Sequence, residues 1–336
     1  MYFVTGASGF LGGHIVCQML IEEMRVVALK RPNSSLEQLE TIAHFYAQMG
    51  VEVDLHKIDW VEGDLFSEAA IKPILNKAKG LVHAGGLVSF HPKDIDLLYQ
   101  TNAQATRNLV NWSLEEGLDY FLHISSVSTL GGKGDEMINE KSMFREENKS
   151  HYARSKYLAE LEAHRASAEG MAVGIVNPSI ILGVGDWKKG TAHFFDLYGR
   201  NFPFYGVGST GFVMASDVAK VVCLMAKDKK ADQFLLNQNN YTFKEIFDTI
   251  AVSFSAKCPS FAITPFRAEL AWRVFAFREF LFGKKSFFSA DNARSAAQKR
   301  NYDGSKINKA IPSFQYNDVL EKIQSISDFK RATEDQ

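Results

Sequence analysis

Tyr152 and Lys156 stand four apart in "HYARSKYLAE". On a helix that spacing puts both side chains on one face. An ammonium beside a phenol stabilises the phenolate and draws the tyrosine pKa down from its usual value near about 10. A tyrosine tuned in this way can give or take a proton near neutrality. Tyr-x-x-x-Lys is common on plain surface helices, so the pair needs company. It finds some in "ISSVSTLG", the end of the preceding apolar run, where Ser125 or Ser126 would open toward the carboxyl edge of a sheet.

These side chains need a scaffold, and the first 185 residues supply a pattern for one. "MYFVTG", "RVVALK", "VDLHKIDWVEGDL", "GLVHAGG", "YFLHISSVSTLG" and "MAVGIVNPSIILG" read as strands. "GHIVCQMLIEEM", "LEQLETIAHFYAQMG", "IKPILNKA", "IDLLYQTNAQATRNLVNWSLEEG" and "YARSKYLAELEAHRASAEG" read as helices. Strand and helix alternate, and several strands are apolar on both faces. That is the signature of a parallel sheet covered by helices, an α/β doubly wound domain of Rossmann type. After Gly185 the regularity weakens, with loops such as "GVGDWKKG" and "FYGVGSTG" among Phe- and Lys-rich helices. We therefore divide the chain into a nucleotide-binding domain over 1–185 and a smaller substrate region over 186–336, part of which returns to the sheet.

At the first strand–helix junction, "VTGASGFLGGH" places Gly6, Gly9 and Gly12 three apart. Glycine permits the tight turn and the approach of a pyrophosphate, and the helix starting near Gly9 aims free N–H groups at phosphate. Position within the first βαβ unit makes a dinucleotide site the expectation. An acid at the end of the second strand would bind the ribose 2′-hydroxyl of NAD; here Lys30 and Arg31 stand there. Two cations suit a 2′-phosphate, so NADP is expected over NAD. Asp64 in "VEGDL", and His83 with Ala84 and Gly85 in "VHAGG", end later strands where adenine and ribose would lie.

Composition narrows the class. The 336 residues are 46% hydrophobic and 23% charged, ordinary for a globular enzyme. A net charge of −1 gives no general attraction to nucleic acid or acidic membrane. Cys17, Cys223 and Cys258 are far apart, as in a reduced cytoplasmic protein, and no metal-ligand spacing is present. The first residues already read as strand, which leaves no room for a signal peptide, and no uncharged apolar run has spanning length.

Taken together, these motifs resemble the extended short-chain dehydrogenases/reductases, of the NAD-dependent epimerase/dehydratase superfamily, over nearly the whole chain. The family's TGxxGxxG matches Thr5, Gly6, Gly9 and Gly12, and its YxxxK matches Tyr152 and Lys156. Its active-site serine stands five residues before a glycine that is Gly131 here, which selects Ser126 over Ser125. Its NxxGTxN asparagine corresponds to Asn102, with Ala105 in place of glycine. "VNPSIILGVGD" is similar to RPSxVxGPGD, with Asn177 and Val184 replacing arginine and proline. The C-terminal segments "ITPFRAELAWRVFAFREFLFGKKSFFSADNARSA" and "NYDGSKINKAI" resemble the dihydroflavonol reductase and 3β-hydroxysteroid dehydrogenase branch.

The resemblance implies hydride transfer between nicotinamide and a carbonyl or secondary alcohol. Tyr152 would be the proton donor, Ser126 an oxyanion donor, and Lys156 the group that lowers the tyrosine pKa and holds the nicotinamide ribose. Asn102 would order a relay water. Cofactor contacts would come from Thr5, Gly6, Ser8, Gly9, Phe10, Leu11, Gly12, Lys30, Arg31, Asp64, Leu65, His83, Ala84, Gly85, Tyr152, Lys156, Asn177, Pro178 and Ser179. A homodimer is also implied. The aromatic run Phe261, Phe266, Trp272, Phe275, Phe277, Phe280, Phe282, Phe287 and Phe288 points to an apolar or aromatic substrate. The same stretch, 262–282, reads as a pocket-capping helix in preference to a membrane-surface helix. A nucleotide-sugar epimerase or dehydratase with retained NAD is the alternative; a non-catalytic NADP sensor would not need the Ser–Tyr–Lys set.

Overall fold

The computed structural model describes residues 1–132, 136–146, 150–264 and 297–334. β1 (Tyr2–Thr5) leads through the glycine loop into α1 (Phe10–Ile21). There follow β2 (Val26–Lys30), α2 (Glu37–Gln48), β3 (Ile58–Glu62), α3 (Glu68–Leu75) and β4 (Gly80–His83). Next come α4 (Ile95–Leu98), a π-helical turn over Tyr99–Gln104, α5 (Ala105–Glu115) and β5 (Tyr120–Ile124). β6 (Met137–Ile138), α6 (His151–Ala168), β7 (Ala172–Pro178), β8 (Ile180–Leu182) and α7 (His193–Gly199) continue the chain. Then run β9 (Phe204–Gly206), β10 (Ser209–Met214), α8 (Ala215–Lys227), β11 (Gln233–Leu236), β12 (Asn239–Thr242) and α9 (Phe243–Ser253). β13 (Phe261–Ile263), β14 (Asn301–Tyr302) and the helices Lys306–Ala310 and Val319–Glu334 complete it.

Seven strands form one parallel sheet in the order β11-β7-β5-β4-β1-β2-β3. The doubly wound Rossmann-type arrangement expected from the strand–helix alternation is the one observed. Successive strand residues point to opposite faces, so both faces must be apolar. Val4, Ala28, Val82, Leu122 and Val176 face one core, which includes residues of α1, α2 and α8. Phe3, Val27, Leu81, Phe121 and Val173 face the other, with residues of α3, α5 and α6. The order of winding reverses between β1 and β4. In this fold class ligands lie at the carboxyl ends of the strands beside such a reversal.

Beyond Gly185 the chain serves two places. α8 packs on α1, and β11 joins the central sheet beside β7. The rest builds a second core around the sheet β12-β10-β8, where Phe195, Phe212, Phe247 and Phe329 are buried. Of the aromatic run, Phe266, Trp272, Phe275, Phe277, Phe280, Phe282, Phe287 and Phe288 lie outside the described residues, as does most of 262–282. Phe261, on β13, is exposed and tilted against Phe204 at 5.8 Å between ring centroids. Among the described residues no helix is long and apolar enough to cross a membrane.

The single helix expected over 95–117 is broken. Residues 99–104 adopt the wider π turn, between the α-helical segments α4 and α5. Asn102, at the centre of that turn, is buried, and its backbone carbonyl accepts from Thr106 Oγ1 at 2.6 Å. Its side chain is tied outward to Leu87 and Ser155. Such bulges accompany functional sites often enough to direct attention here.

Candidate active site

Gly6 and Gly12 each have a reason that no other residue meets. Gly6 has φ 75°, and a Cβ there would lie 2.6 Å from the Gly85 nitrogen. A Cβ on Gly12 would lie 2.0 Å from the Gly6 carbonyl oxygen. The loops after β1 and β4 therefore touch backbone to backbone at the winding reversal. Gly9 caps α1 with no side-chain hydrogen bond, so no side chain occupies the first-turn N–H groups of Phe10, Leu11 and Gly12. That is a cradle of the kind a pyrophosphate fits. Ser8 is half-buried in the same loop. The Phe10 ring turns the other way, toward Gly185 and edge-on to His14 at 5.6 Å, so only its backbone faces the cradle.

The chemical group sits at the ends of β4 and β5. α6 begins at Ser150, whose hydroxyl accepts from the Ala153 N–H at 3.2 Å, and its first turns carry Tyr152 and Lys156. Ser126, just past β5, stands near enough to Tyr152 to oppose the rise of its pKa, and its Oγ accepts from the Ser128 N–H at 3.1 Å. Ser125 points elsewhere: its hydroxyl donates to Glu160. Phe90, from the loop after β4, packs edge-on to Tyr152 at 5.5 Å.

The electrostatics depart from the sequence expectation. Lys156 is buried, and its Nζ donates to the Ile124 carbonyl at 2.7 Å. Burial pulls its pKa down to about 8, with Glu160 opposing the fall. Tyr152 lies above its ordinary value: burial raises it, and Ser126 offsets only part. The four-residue spacing places the pair on one helix, but burial of the phenol governs its pKa, and the ammonium is engaged with the strand end.

Several other expected contacts are spent inside the protein. The Asn102 amide accepts from the Leu87 N–H at 2.7 Å and donates to Leu87 O and Ser155 Oγ, both at 2.9 Å. Its side chain is thus a tie between the β4 loop and α6, with both amide N–H groups engaged. Asn177 is buried; its amide nitrogen reaches Thr129 Oγ1 at 2.9 Å and Glu160 Oε2 at 2.7 Å, and its oxygen accepts from Gln233 at 2.9 Å. Its amide nitrogen is thus fully engaged within the protein. His83 is buried with Nδ1 2.7 Å from Thr5 Oγ1 and Nε2 2.9 Å from Thr106 Oγ1. Burial, with Lys156 adding to it, lowers its pKa to about 3, so the ring is neutral. Thr106 gives its one proton to Asn102 O, so it must accept from His83 Nε2–H, and His83 Nδ1 must accept from Thr5. Thr5 Oγ1 in turn accepts from the Gly85 N–H at 3.2 Å. One directed chain, Gly85 to Thr5 to His83 to Thr106 to Asn102, spans the reversal point.

The remaining predicted residues stay at the crevice. The Ala84 N–H donates to Thr5 O at 3.2 Å, and Leu65 packs by Gly85. Asp64 Oδ1 caps its own turn, accepting from the Phe66 N–H at 2.8 Å and the Ser67 hydroxyl at 3.0 Å. Pro178 ends β7; the Ser179 N–H donates to Leu236 O at 2.9 Å, while its buried Oγ has no partner among the described residues. That orphaned hydroxyl and the glycine cradle both fit a dinucleotide. Lys30 is 3.8 Å from Glu62 and 5.9 Å from the Trp60 ring centroid, whereas Arg31 is exposed. Glu160, which sequence reading did not single out, proves to be the most heavily hydrogen-bonded carboxylate beside the site.

Comparison with known proteins agrees with this geometry. The profile of the NAD dependent epimerase/dehydratase family matches residues 2–236. The chain belongs to that family. Its curated relatives include reductases and dehydrogenases of the extended short-chain type. It is 28% identical over 319 residues to a putative dihydroflavonol 4-reductase of Synechocystis, covering 91% of this chain and 87% of that one. It is 27% identical over 270 residues to sterol demethylase protein B of Methylococcus capsulatus, covering 78% and 77%. The fold is also that of DesIV, a dTDP-glucose 4,6-dehydratase of Streptomyces venezuelae solved with NAD bound, at TM-score 0.74 and 18% identity over 99% and 98% of the chains.

Proposed function

We propose that this family member reduces an apolar or aromatic ketone or aldehyde with NADPH, and runs the reverse oxidation under the opposite ratio of substrates. The observation that carries the reading is the gathering of Ser126, Tyr152 and buried Lys156 at the carboxyl end of β5, with the Lys156 Nζ bonded to the Ile124 carbonyl and Ser126 near enough to Tyr152 to oppose the rise of its pKa. When bound, the nicotinamide supplies the hydride. Tyr152 delivers its proton to the substrate oxygen, and Ser126 turns its own proton to the same oxygen as negative charge develops. Lys156 in its charged form stabilises the phenolate left behind. Phe90, edge-on to Tyr152, gives the site an apolar wall. The pyrophosphate would rest on the first turn of α1, and Ser179 Oγ would find its missing partner on the cofactor.

A panel following NADPH absorbance tests the substrate class: aryl ketones, aldehydes, a flavanone-type substrate, a 3-ketosteroid and common nucleotide sugars. Turnover confined to nucleotide sugars would replace this reading with the epimerase or dehydratase alternative. One observation favours that alternative: Glu62 lies 3.8 Å from Lys30, an acid beside the end of β2.

The NADP preference rests on the same corner. Charge-assisted bonds to a 2′-phosphate are worth roughly 1.5–3 kcal/mol each. Exposed Arg31 is free to fork onto the phosphate, while Lys30 must be shared with Glu62. The double variant Lys30→Ala with Arg31→Ala should therefore lose NADPH affinity by about tenfold to a hundredfold and NADH affinity little. Fluorescence titration of both cofactors checks it, and equal affinities in the wild type would defeat the claim.

A further inference from the structure

Glu160 lies one turn beyond Lys156 on α6 and is only 5% exposed. Its Oε2 accepts from the Ser125 hydroxyl, from Thr129 Oγ1 at 2.8 Å and from Asn177 Nδ2 at 2.7 Å. Its Oε1 accepts from Gln233 Nε2 at 3.1 Å and has His164 Nε2 at 3.8 Å. These donors come from the ends of three neighbouring strands: Ser125 and Thr129 follow β5, Asn177 is on β7 and Gln233 on β11. Two of them also hold the residue between Ser125 and Thr129 that matters most. Asn177 Nδ2, with two protons, reaches both Glu160 and the backbone carbonyl of Ser126, the latter at 3.2 Å, and the single Thr129 hydroxyl proton is shared between the same two acceptors, 2.8 Å from each. With that peptide held, and Oγ accepting from Ser128, the Ser126 hydroxyl is kept beside Tyr152.

The carboxylate is also a charge. Burial alone would push Glu160 upward, but hydrogen bonds from His164, Ser125, Thr129 and Asn177 more than offset it and hold it below its usual range. Lys156 is faced by Glu160 on its own helix, by His83 from β4 and by His123 from β5. Tyr152 lies one turn before it; Asn102, Thr106 and Ser155 beside it do not titrate. Both histidines are neutral, kept far below their ordinary value chiefly by burial. Among the described residues, Glu160 is therefore the one negative charge among the groups facing the lysine.

We propose that Glu160 is a positioning residue for the reaction: its ionised carboxylate pins the peptide of Ser126 and keeps the Lys156 ammonium charged. The inference rests on the reading that Ser126, Tyr152 and Lys156 carry the proton transfer.

The first test needs no substrate. Lysine labelled with ¹³C at the ε-carbon is titrated by NMR, with the Lys156 resonance identified by its loss in Lys156→Met. The wild-type midpoint is expected at about 8. Glu160→Gln, which preserves shape and most hydrogen bonds, should move the midpoint down by about one unit or more, a tenfold loss of proton affinity. The alkaline limb of kcat should move the same way, with KM changing less than kcat, and acid should restore turnover. A folding defect would not be reversed by lowering the pH. An unmoved midpoint overturns the electrostatic half of the proposal. Glu160→Asp keeps the charge but withdraws it from Ser125, Thr129 and Asn177. It should lower kcat by about tenfold or more with a near-wild-type midpoint, and wild-type kcat would overturn the pinning. Should Glu160→Gln fail to fold, Glu160→Asp carries the decision. Tyr152→Phe, assayed alongside, separates the failures. If it turns over normally, the proton-transfer reading itself is wrong. If it is inactive while both Glu160 variants match wild type, only the role of Glu160 falls.

Discussion

Tyr152→Phe is expected to cut kcat by about 10²- to 10⁴-fold, the range that a positioned proton donor contributes, while NADPH affinity stays within a few-fold of wild type. The substitution removes one oxygen and keeps the ring against Phe90. Ser126 keeps its backbone partner, the Ser128 N–H, so the strand end has no cause to move. Nothing in the α1 cradle changes. The phenol is already raised by burial, so in the wild type it is protonated and ready to donate across the neutral range. Steady-state rates on any carbonyl accepted in the panel, with cofactor fluorescence titrated in parallel, give both numbers. Retention of kcat within tenfold would remove Tyr152 from the role of donor.

Gly12→Ala is the second large effect, and it should strike binding before chemistry. The new methyl would sit 2.0 Å from the carbonyl oxygen of Gly6, a backbone atom that cannot rotate away. Either α1 shifts outward or the loop after β1 does, and both break the cradle. Overpacking of this kind costs about 1–3 kcal/mol or more in stability. NADPH affinity should fall by about a hundredfold, as the first-turn N–H groups lose their alignment. Gly9→Ala is the internal comparison. Its Cβ would be 3.2 Å from the same oxygen, a contact that a few tenths of an ångström relieves, so the loss should be much smaller. Thermal denaturation and cofactor titration of the two variants measure the difference; equal effects would mean that the helix–loop contact is not what Gly12 protects.

The parts of the protein that were legible in its sequence are those set by neighbours along the chain. Alternating apolar strands, the glycines at the first turn, and the shared face of Tyr152 and Lys156 are all local patterns. The polar partners that were not legible are distant along the chain. His83 is joined to Thr5, 78 positions away, and Asn177 to Ser126, 51 positions away. A motif gives such a residue its place at a strand end and says nothing of what has already claimed its polar atoms. Burial is equally invisible to spacing, which is why the lysine that should have lowered the Tyr152 pKa does not. Glu160 had a faint signal, an acid four residues beyond Lys156 in "SKYLAE", indistinguishable on its own from a surface carboxylate. The aromatic stretch after Phe261, which prompted the substrate class, lies beyond the described residues.

The directed chain from Gly85 through Thr5, His83 and Thr106 to Asn102 has a mechanical meaning. Each hydroxyl in it has one proton to give, so no link can reverse or open without disturbing the next. It stitches the turn that cradles phosphate to the turn that leads into the reacting groups, across the seam where the two halves of the sheet meet. The floor of the crevice is therefore one hydrogen-bonded piece, continuous from the first turn of the chain to the π turn at Asn102.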